Sequence, residues 1–344
     1  MTTTDRSPFS PAVDVQRQPG RPAILRVPPR PGIESAIQWL RAHHTPIRAE
    51  LLASGALLIR GLPVTTVEDF GAIRDLLLAR PALYKEKATP RTEFAPGIFS
   101  STDLPAAQPI RLHNENSYAL DFPGTLLFGC IVAAEEGGAT TIGDMREALT
   151  LLPQALRERF ERTGWLLTRN YSELAGLSWQ KSFGTEDRAE VEQYCRRNLI
   201  GYAWLADGSL RTRQRRAAVI THPGTGDRVW FNHMAFWNRS TLDPDVRELL
   251  LDTYGEDGLP FDTRAGDGTA LTTPEVAVIN DVYDRVTVRE AWQPGDVMLV
   301  DNIRCAHGRD AFQGSRSILV GMGDPVALTD CRPAPVPAAA RPWQ

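Results

Sequence analysis

Two residues apart in the stretch RLHNENSYAL, residues 111–120, stand an imidazole and a carboxylate, His113 and Glu115. Both are metal donors, and an apolar run, TLLFGCIVAA, follows shortly after. On a helix, residues i and i+2 diverge; on a strand they share a face. An extended segment would therefore bring the pair to one point, and a metal there needs at least one more donor. The other histidines are His43, His44, His222, His233 and His307. His43 and His44 fall at a helix end and His222 at a hairpin turn before Pro223, positions read as exposed. His233, after VWFN, could line a pocket. His307 follows GDVMLVDN, a buried-strand pattern opened by a Pro-Gly-Asp turn, and nine residues later Arg316 heads the apolar strand RSILVGM.

Two neutral imidazoles and one carboxylate on one face of an iron ion leave three coordination positions open. An acidic cosubstrate could take two of them, and its far carboxylate would then need a bidentate cation. Arg316 is placed to supply it; Arg309, nearer the turn, is the second candidate. The same triad could hold zinc in a jelly-roll hydrolase or isomerase, but Arg316 would have no evident task there. Cys305 forms Cys-x-His with His307 and reads as a buried apolar residue. Trp230, Phe231 and Asn232 are candidates to line a substrate pocket or to fill the core, with Asn232 the polar exception. The run RTRQRR, 211–216, reads as a solvated face. Were alternate residues to face inward, Arg211, Arg213 and Arg215 would do so together, with Arg213 central and able to receive an anionic group. Arg169 on LLTRNY and Ser117 beside the ligand pair are further substrate candidates.

The elements that must position these groups can be read from periodicity. Helical spacing marks 33–54 (as two helices), 67–80, 145–164, 185–199 and 242–255, the last with Asp243 as N-cap and Pro244 in its first turn. Strand patterns mark ALLIRGL (56–62), 125–134, a short strand after the EEGG turn at 135–138, 165–171, hairpins turning at the DG and GTGD of 201–233, and three strands between 286 and 322. Strands dominate the centre and end, which suits an α+β chain with a mainly β core, a double-stranded β-helix (jelly roll) with flanking and inserted helices. The expected organisation is a poorly ordered or extended segment 1–32, one jelly-roll domain over 33–325 with helical insertions at about 145–260, and a tail over 326–344.

The totals fit an ordinary globular protein. The chain has 344 residues, 42% apolar and 23% charged, with a formal net charge of -4. That charge gives no bulk attraction to nucleic acid or to an anionic membrane. No apolar run reaches the ~20 residues of a spanning helix, and the Pro/Ser-rich start lacks the apolar core of a secretory signal. The four cysteines form no CxxC pair, so a reducing cytoplasm is the expected compartment.

Four segments, in order, resemble the Fe(II)/2-oxoglutarate-dependent oxygenases of the taurine dioxygenase and clavaminate synthase group: HNENSY, EEGGATTIGD, WQPGDVMLVDN and AHGRDAFQGSRSILV. The middle, in SWQKSFGTEDRAEVEQYCRR and VWFNH, is similar to the bacterial subgroup acting on amino-acid units in peptide-antibiotic pathways. The resemblance runs from about residue 45 to about 325. It implies that His113, Glu115 and His307 hold Fe(II) and that Arg316, assisted by Thr140, binds the far carboxylate of 2-oxoglutarate; Thr140 could also simply fill a short strand. It implies O2 and a small-molecule substrate as partners, an amino acid either free or tethered to a peptidyl carrier protein. The expected outcome is hydroxylation of an unactivated C–H with release of succinate and CO2; desaturation or epoxidation stays open. With Glu115 in place no position is left for chloride, which speaks against halogenation. Glutamate here, where aspartate is commoner, adds a methylene and sets the ligand segment slightly further from the metal.

Overall fold

A computed structural model describes residues 14–82, 85–172 and 176–335. Its centre is a sandwich of two sheets. The larger has eight strands in the order Asp14–Gln16, Ala23–Arg26, Ala56–Arg60, Val297–Asp301, Asp121–Val132, Ser317–Ala327, Ile98–Ser100 and Glu93–Ala95. The smaller is Thr287–Val288, Thr140–Asp144, Cys305–Arg309 and Ile110–His113. Strand pairing within the two sheets is antiparallel except between Ala23–Arg26 and Ala56–Arg60, and the chain passes repeatedly from one sheet to the other, as in the expected jelly roll.

The continuous apolar strands are explained by burial on both faces. In Asp121–Val132, Leu127 points into a core shared with the helices Ile33–Ala42, His44–Ser54 and Val67–Leu77. Its neighbours Leu126, Phe128 and Cys130 point into the space between the sheets. Val297 and Leu299 likewise take the helix side, and Met298 and Val300 the inter-sheet side. Cys305 and Ile142 from the smaller sheet close that inner core; Cys305 is a buried residue of it.

Residues 14–26, expected as poorly ordered or extended, form two strands at the edge of the larger sheet, Ala23–Arg26 running parallel to Ala56–Arg60. Residues 1–13 lie outside the described part. At the other end the strand continues to Ala327, a 3-10 turn Leu328–Cys331 follows, and Cys331 is buried; 336–344 lie outside the described part. The helical stretch 145–164 is two helices, Met145–Leu151 and Gln154–Thr163. Pro153 forces the break: Leu152 before it is extended, as the residue preceding a proline prefers. Asp243 caps Pro244–Tyr254 through the backbone N–H groups of Asp245 and Val246. The cap of Arg188–Arg197 is Asp187.

The insertion is more than helical. A four-stranded antiparallel sheet, Ile200–Trp204, Leu210–Arg216, Trp165–Tyr171 and Phe261–Ala265, stands beside the sandwich, and both expected hairpin turns occur within the insertion. In Leu210–Arg216 the buried face is Leu210, Thr212, Gln214 and Arg216. Arg213, a substrate candidate only if its parity faced inward, is on the outer, half-exposed face, next to Gly268. The pleat allows only one parity inside, and here Arg216 takes it, donating to the carbonyls of Tyr118 (2.6 Å) and Asn198 (2.8 Å). Among the described residues, no helix is long and apolar enough to cross a membrane.

Candidate active site

His113 and His307 are cross-strand partners. The strands Ile110–His113 and Cys305–Arg309 pair antiparallel with the two histidines directly opposite, which puts both rings on one face with centroids 4.4 Å apart. Gly308 allows the approach: a Cβ there would sit 2.4 Å from the Ile110 carbonyl oxygen. Glu115 reaches the pair by another route. The strand ends at His113, and Glu115 lies in the turn that follows, with Asn116 at a φ of 53°. The expectation of a shared strand face is thus corrected: the turn, rather than the pleat, swings the carboxylate inward. Asn302 fixes that turn. Its Oδ1 accepts from the Glu115 N–H at 2.7 Å, and its Nδ2 donates to the carbonyls of Glu115 (2.9 Å) and Pro123 (2.7 Å). Asn114 ties back to the Asn302 carbonyl at 2.8 Å.

The ligating atoms of His113, Glu115 and His307 lie within 4.8 Å of one another, and all three residues are buried. His113 Nδ1 sits 2.9 Å from the Arg111 carbonyl oxygen. A carbonyl only accepts, so Nδ1 carries the proton and the Nε2 lone pair is left for a metal. Burial holds His113 below its ordinary value despite Glu115, and His307 well below, with His113 and Arg91 adding to the effect. Both imidazoles are neutral donors. Two desolvated lone pairs and a buried carboxylate facing one point are costly unless a cation completes them, so the donor set fits a divalent metal. Phe236 stacks on His113 at 5.2 Å and Phe128 lies 5.3 Å from His307, walling the centre with apolar rings.

One cavity joins this centre to Arg316, Arg309, Thr140, Ser101 and Thr102. Arg316 is half-buried. Its Nε donates to the Gly138 carbonyl at 2.9 Å and its Nη1 to Ser101 Oγ at 3.1 Å. Burial and the neighbouring Arg309 push it down to about 10. Arg309 is differently placed: its two Nη atoms are spent on the carbonyls of Leu104 (3.1 Å), Pro105 (2.6 Å) and Gln108 (2.6 Å). Asp310, the nearest acid in the sequence, pairs with Arg289. Thr140 lies opposite Arg309 across the ladder, and its Oγ1 accepts from Trp292 Nε1 at 3.1 Å.

The remaining candidates separate. Ser117 Oγ lies 2.6 Å from Nδ1 of His233, whose ring is 4.9 Å from His113 and stacks on Trp237 at 4.1 Å. Asn232 is fully buried, its Oδ1 accepting from the Met234 N–H at 3.0 Å and its Nδ2 without a hydrogen-bond partner among the described residues. Trp230 and Phe231 are core. Arg169 is buried, donating to the carbonyls of Glu86 (3.2 Å) and Lys87 (2.9 Å) between the rings of Tyr171 and Phe261. His222, expected at the surface, is buried: Nε2 donates to Asp301 Oδ2 at 2.9 Å while Nδ1 accepts from the Gly224 and Thr225 N–H groups. The sequence reading missed Arg91, whose Nη2 donates to Glu115 Oε2 at 2.7 Å. Nothing around it in TPRTEF is periodic or motif-like. Asn302 ends the segment WQPGDVMLVDN, and its position just before a turn leading to His307 was the available signal.

A family model described as "Taurine catabolism dioxygenase TauD, TfdA family" matches residues 27–322. The dapdiamide synthesis protein DdaC of Enterobacter agglomerans is 36% identical over 293 residues, 85% of this chain and 89% of that protein. A clavaminate synthase-like protein of Arabidopsis thaliana is 27% identical over 321 residues, 88% and 93% of the two chains. Among solved structures, a taurine dioxygenase from Burkholderia xenovorans is 18% identical, with 97% and 96% covered and a TM-score of 0.49. The zinc hydrolase or isomerase alternative falls away with the family match. The chain belongs to the TauD/TfdA family and is a non-haem Fe(II)- and 2-oxoglutarate-dependent dioxygenase.

Proposed function

We propose that this dioxygenase hydroxylates an unactivated C–H of an amino acid, or of an amino-acid-derived intermediate that a peptidyl carrier protein can present, in the biosynthesis of a secondary metabolite. His113, Glu115 and His307 hold the iron, and Arg316 with Thr140 receives the far carboxylate of 2-oxoglutarate. The observation that carries the cosubstrate assignment is Arg316 itself: a cation facing the triad's own cavity, paired with no carboxylate among the described residues. A dianion two carboxylates long supplies the missing charge with a two-pronged hydrogen bond.

Bound iron, with O2 and 2-oxoglutarate, supplies the oxidising power for an unactivated C–H, and succinate and CO2 leave. The chain's own part is to seat, orient and enclose. The cross-strand histidines and the Asn302-held turn fix three donors on one side, leaving the other side open for the two acids. Phe128 and Phe236 exclude water from that side. Ser117 and His233, a buried hydrogen-bonded pair beside His113, are assigned here to orient the amino acid. A biosynthetic role is supported by the name of the 36%-identical relative, a protein of dapdiamide synthesis. Desaturation or epoxidation would use the same donor set and differ only in how the substrate is held. The test is mass spectrometry of reactions containing Fe(II), 2-oxoglutarate and candidate amino acids, free and carrier-loaded. Gain of one oxygen atom supports hydroxylation or epoxidation, loss of two hydrogens supports desaturation, and neither, across both substrate forms, removes the amino-acid assignment.

A further inference from the structure

Arg91 stands where the metal's charge would be needed. Its side chain and that of Glu115 are each only 7% exposed, and the contacted oxygen, Oε2, is the one lying 3.7 Å from His307 Nε2. It is thus the oxygen turned toward the centre of the triad. Arg91 is not delivered there by Glu115 alone. Five residues earlier the chain passes through Glu86, fully buried at a φ of 57°. The Glu86 carboxylate takes Gln214 Nε2 at 2.9 Å and the Tyr194 hydroxyl at 3.3 Å, and its carbonyl takes the Tyr118 hydroxyl at 3.1 Å. Lys87 is bound on both sides of its peptide by Ser182 and Arg169. The chain is therefore anchored in the insertion at Glu86 and Lys87, the latter four residues before Arg91 reaches the metal centre.

We propose that Arg91 is a positioning residue that holds the charge place of the metal: it compensates and orients the Glu115 carboxylate before iron enters, and the incoming ion takes that oxygen against it. The inference rests on the assignment of Glu115 as a ligand. A buried carboxylate without a cation is strongly unfavourable. The pair keeps the metal-free centre folded and its carboxylate aimed, and the arginine in turn weakens the metal's hold on the same oxygen.

The test compares wild type, Arg91→Met and Arg91→Lys, as full chains stripped with chelator, by Co(II) titration and by melting with and without saturating Co(II). Removing a charge-assisted hydrogen bond that contends for the ligand oxygen should tighten Co(II) binding in Arg91→Met by about tenfold. The metal-free melting temperature should fall by about 4–7 °C, the loss of one partner of a buried pair in a chain of this size. With Co(II) bound the deficit should largely close, because the ion replaces the lost charge. Arg91→Lys should stay near wild type in both. A merely structural arginine would lower both melting temperatures equally and leave Co(II) affinity unchanged; one that only aims the ligand would weaken Co(II) binding. Either result overturns the proposal. If wild type and variants alike bind no Co(II), the ligand assignment fails and this inference falls with it. Should Arg91→Met not fold, Arg91→Gln, which keeps N–H donors without the charge, is read by the same measurements.

Discussion

Replacing Arg316 by alanine should weaken 2-oxoglutarate by about 30-fold. The guanidinium faces the cavity from a half-buried position and donates to one carbonyl and one hydroxyl, at 2.9 and 3.1 Å. Those two bonds orient it without neutralising it. Losing one partner of a buried hydrogen-bonded charge pair costs about 2–5 kcal/mol. Because Arg316 is only half-buried, water recovers part of that loss, so the lower end, about 2 kcal/mol, applies, and ~1.4 kcal/mol per tenfold gives the figure above. Arg316→Lys should recover part of the affinity, since an ammonium supplies charge without the planar fork. The assay is anaerobic titration of the Fe(II) protein with 2-oxoglutarate, read from the visible charge-transfer band, with the 2-oxoglutarate dependence of succinate formation as a second readout. An unchanged dissociation constant in the alanine variant would refute the reasoning. Arg309→Ala is the control with the opposite signature. Its nitrogens tie three carbonyls of 104–108, so its loss should lower the melting temperature more than the cosubstrate affinity.

Three other outcomes are expected. Glu115→Ala should abolish substrate oxidation while leaving a protein that folds with an unchanged far-ultraviolet circular dichroism spectrum but melts lower, because Asn302 rather than the carboxylate holds the turn backbone while the buried Arg91 loses its partner; near-wild-type turnover would remove Glu115 from the ligand set. Arg213→Ala should leave kcat/KM within about twofold, as surface changes usually do little, since Arg213 lies on the outer face of its strand; a tenfold loss would show that this face meets the substrate or its carrier. Acid sensitivity should track Asp144. Burial raises its carboxyl, but the Arg146 hydrogen bonds and the Arg304 charge outweigh that and hold it below its ordinary value of 3.8. A lowered folded value means the stabilisation is present above the unfolded value and is lost as pH falls through the folded one. The stability gap between wild type and Asp144→Asn, measured by urea unfolding, should therefore be open at neutral pH and narrow below about pH 4; a gap that widens in acid would contradict the pairing.

What the sequence determined by itself is the local grammar. Apolar runs such as 125–134 and GDVMLVDN had to be strands buried on both sides. Asp243-Pro244 had to start a helix, and the DG and GTGD turns had to close hairpins, because these depend on backbone propensity and period over a few residues. The kinds and order of the candidate groups, His113, Glu115, His307 and Arg316, were also legible, because donor chemistry belongs to the residue itself. Tertiary structure decided everything that depends on which partner lies opposite. A period of two offers two faces, and only packing against the sandwich chose Arg216 over Arg213 as the inward one. His222 looked like a turn histidine until Asp301, 79 positions away, gave its ring a buried acceptor. Glu115 joins the histidines through a turn pinned by Asn302, 187 positions on, and Arg91 arrives on a segment anchored by Glu86 in the insertion. Ion pairs and caps of this range leave no periodic trace in the chain, since their energy depends on distances that only the folded backbone sets.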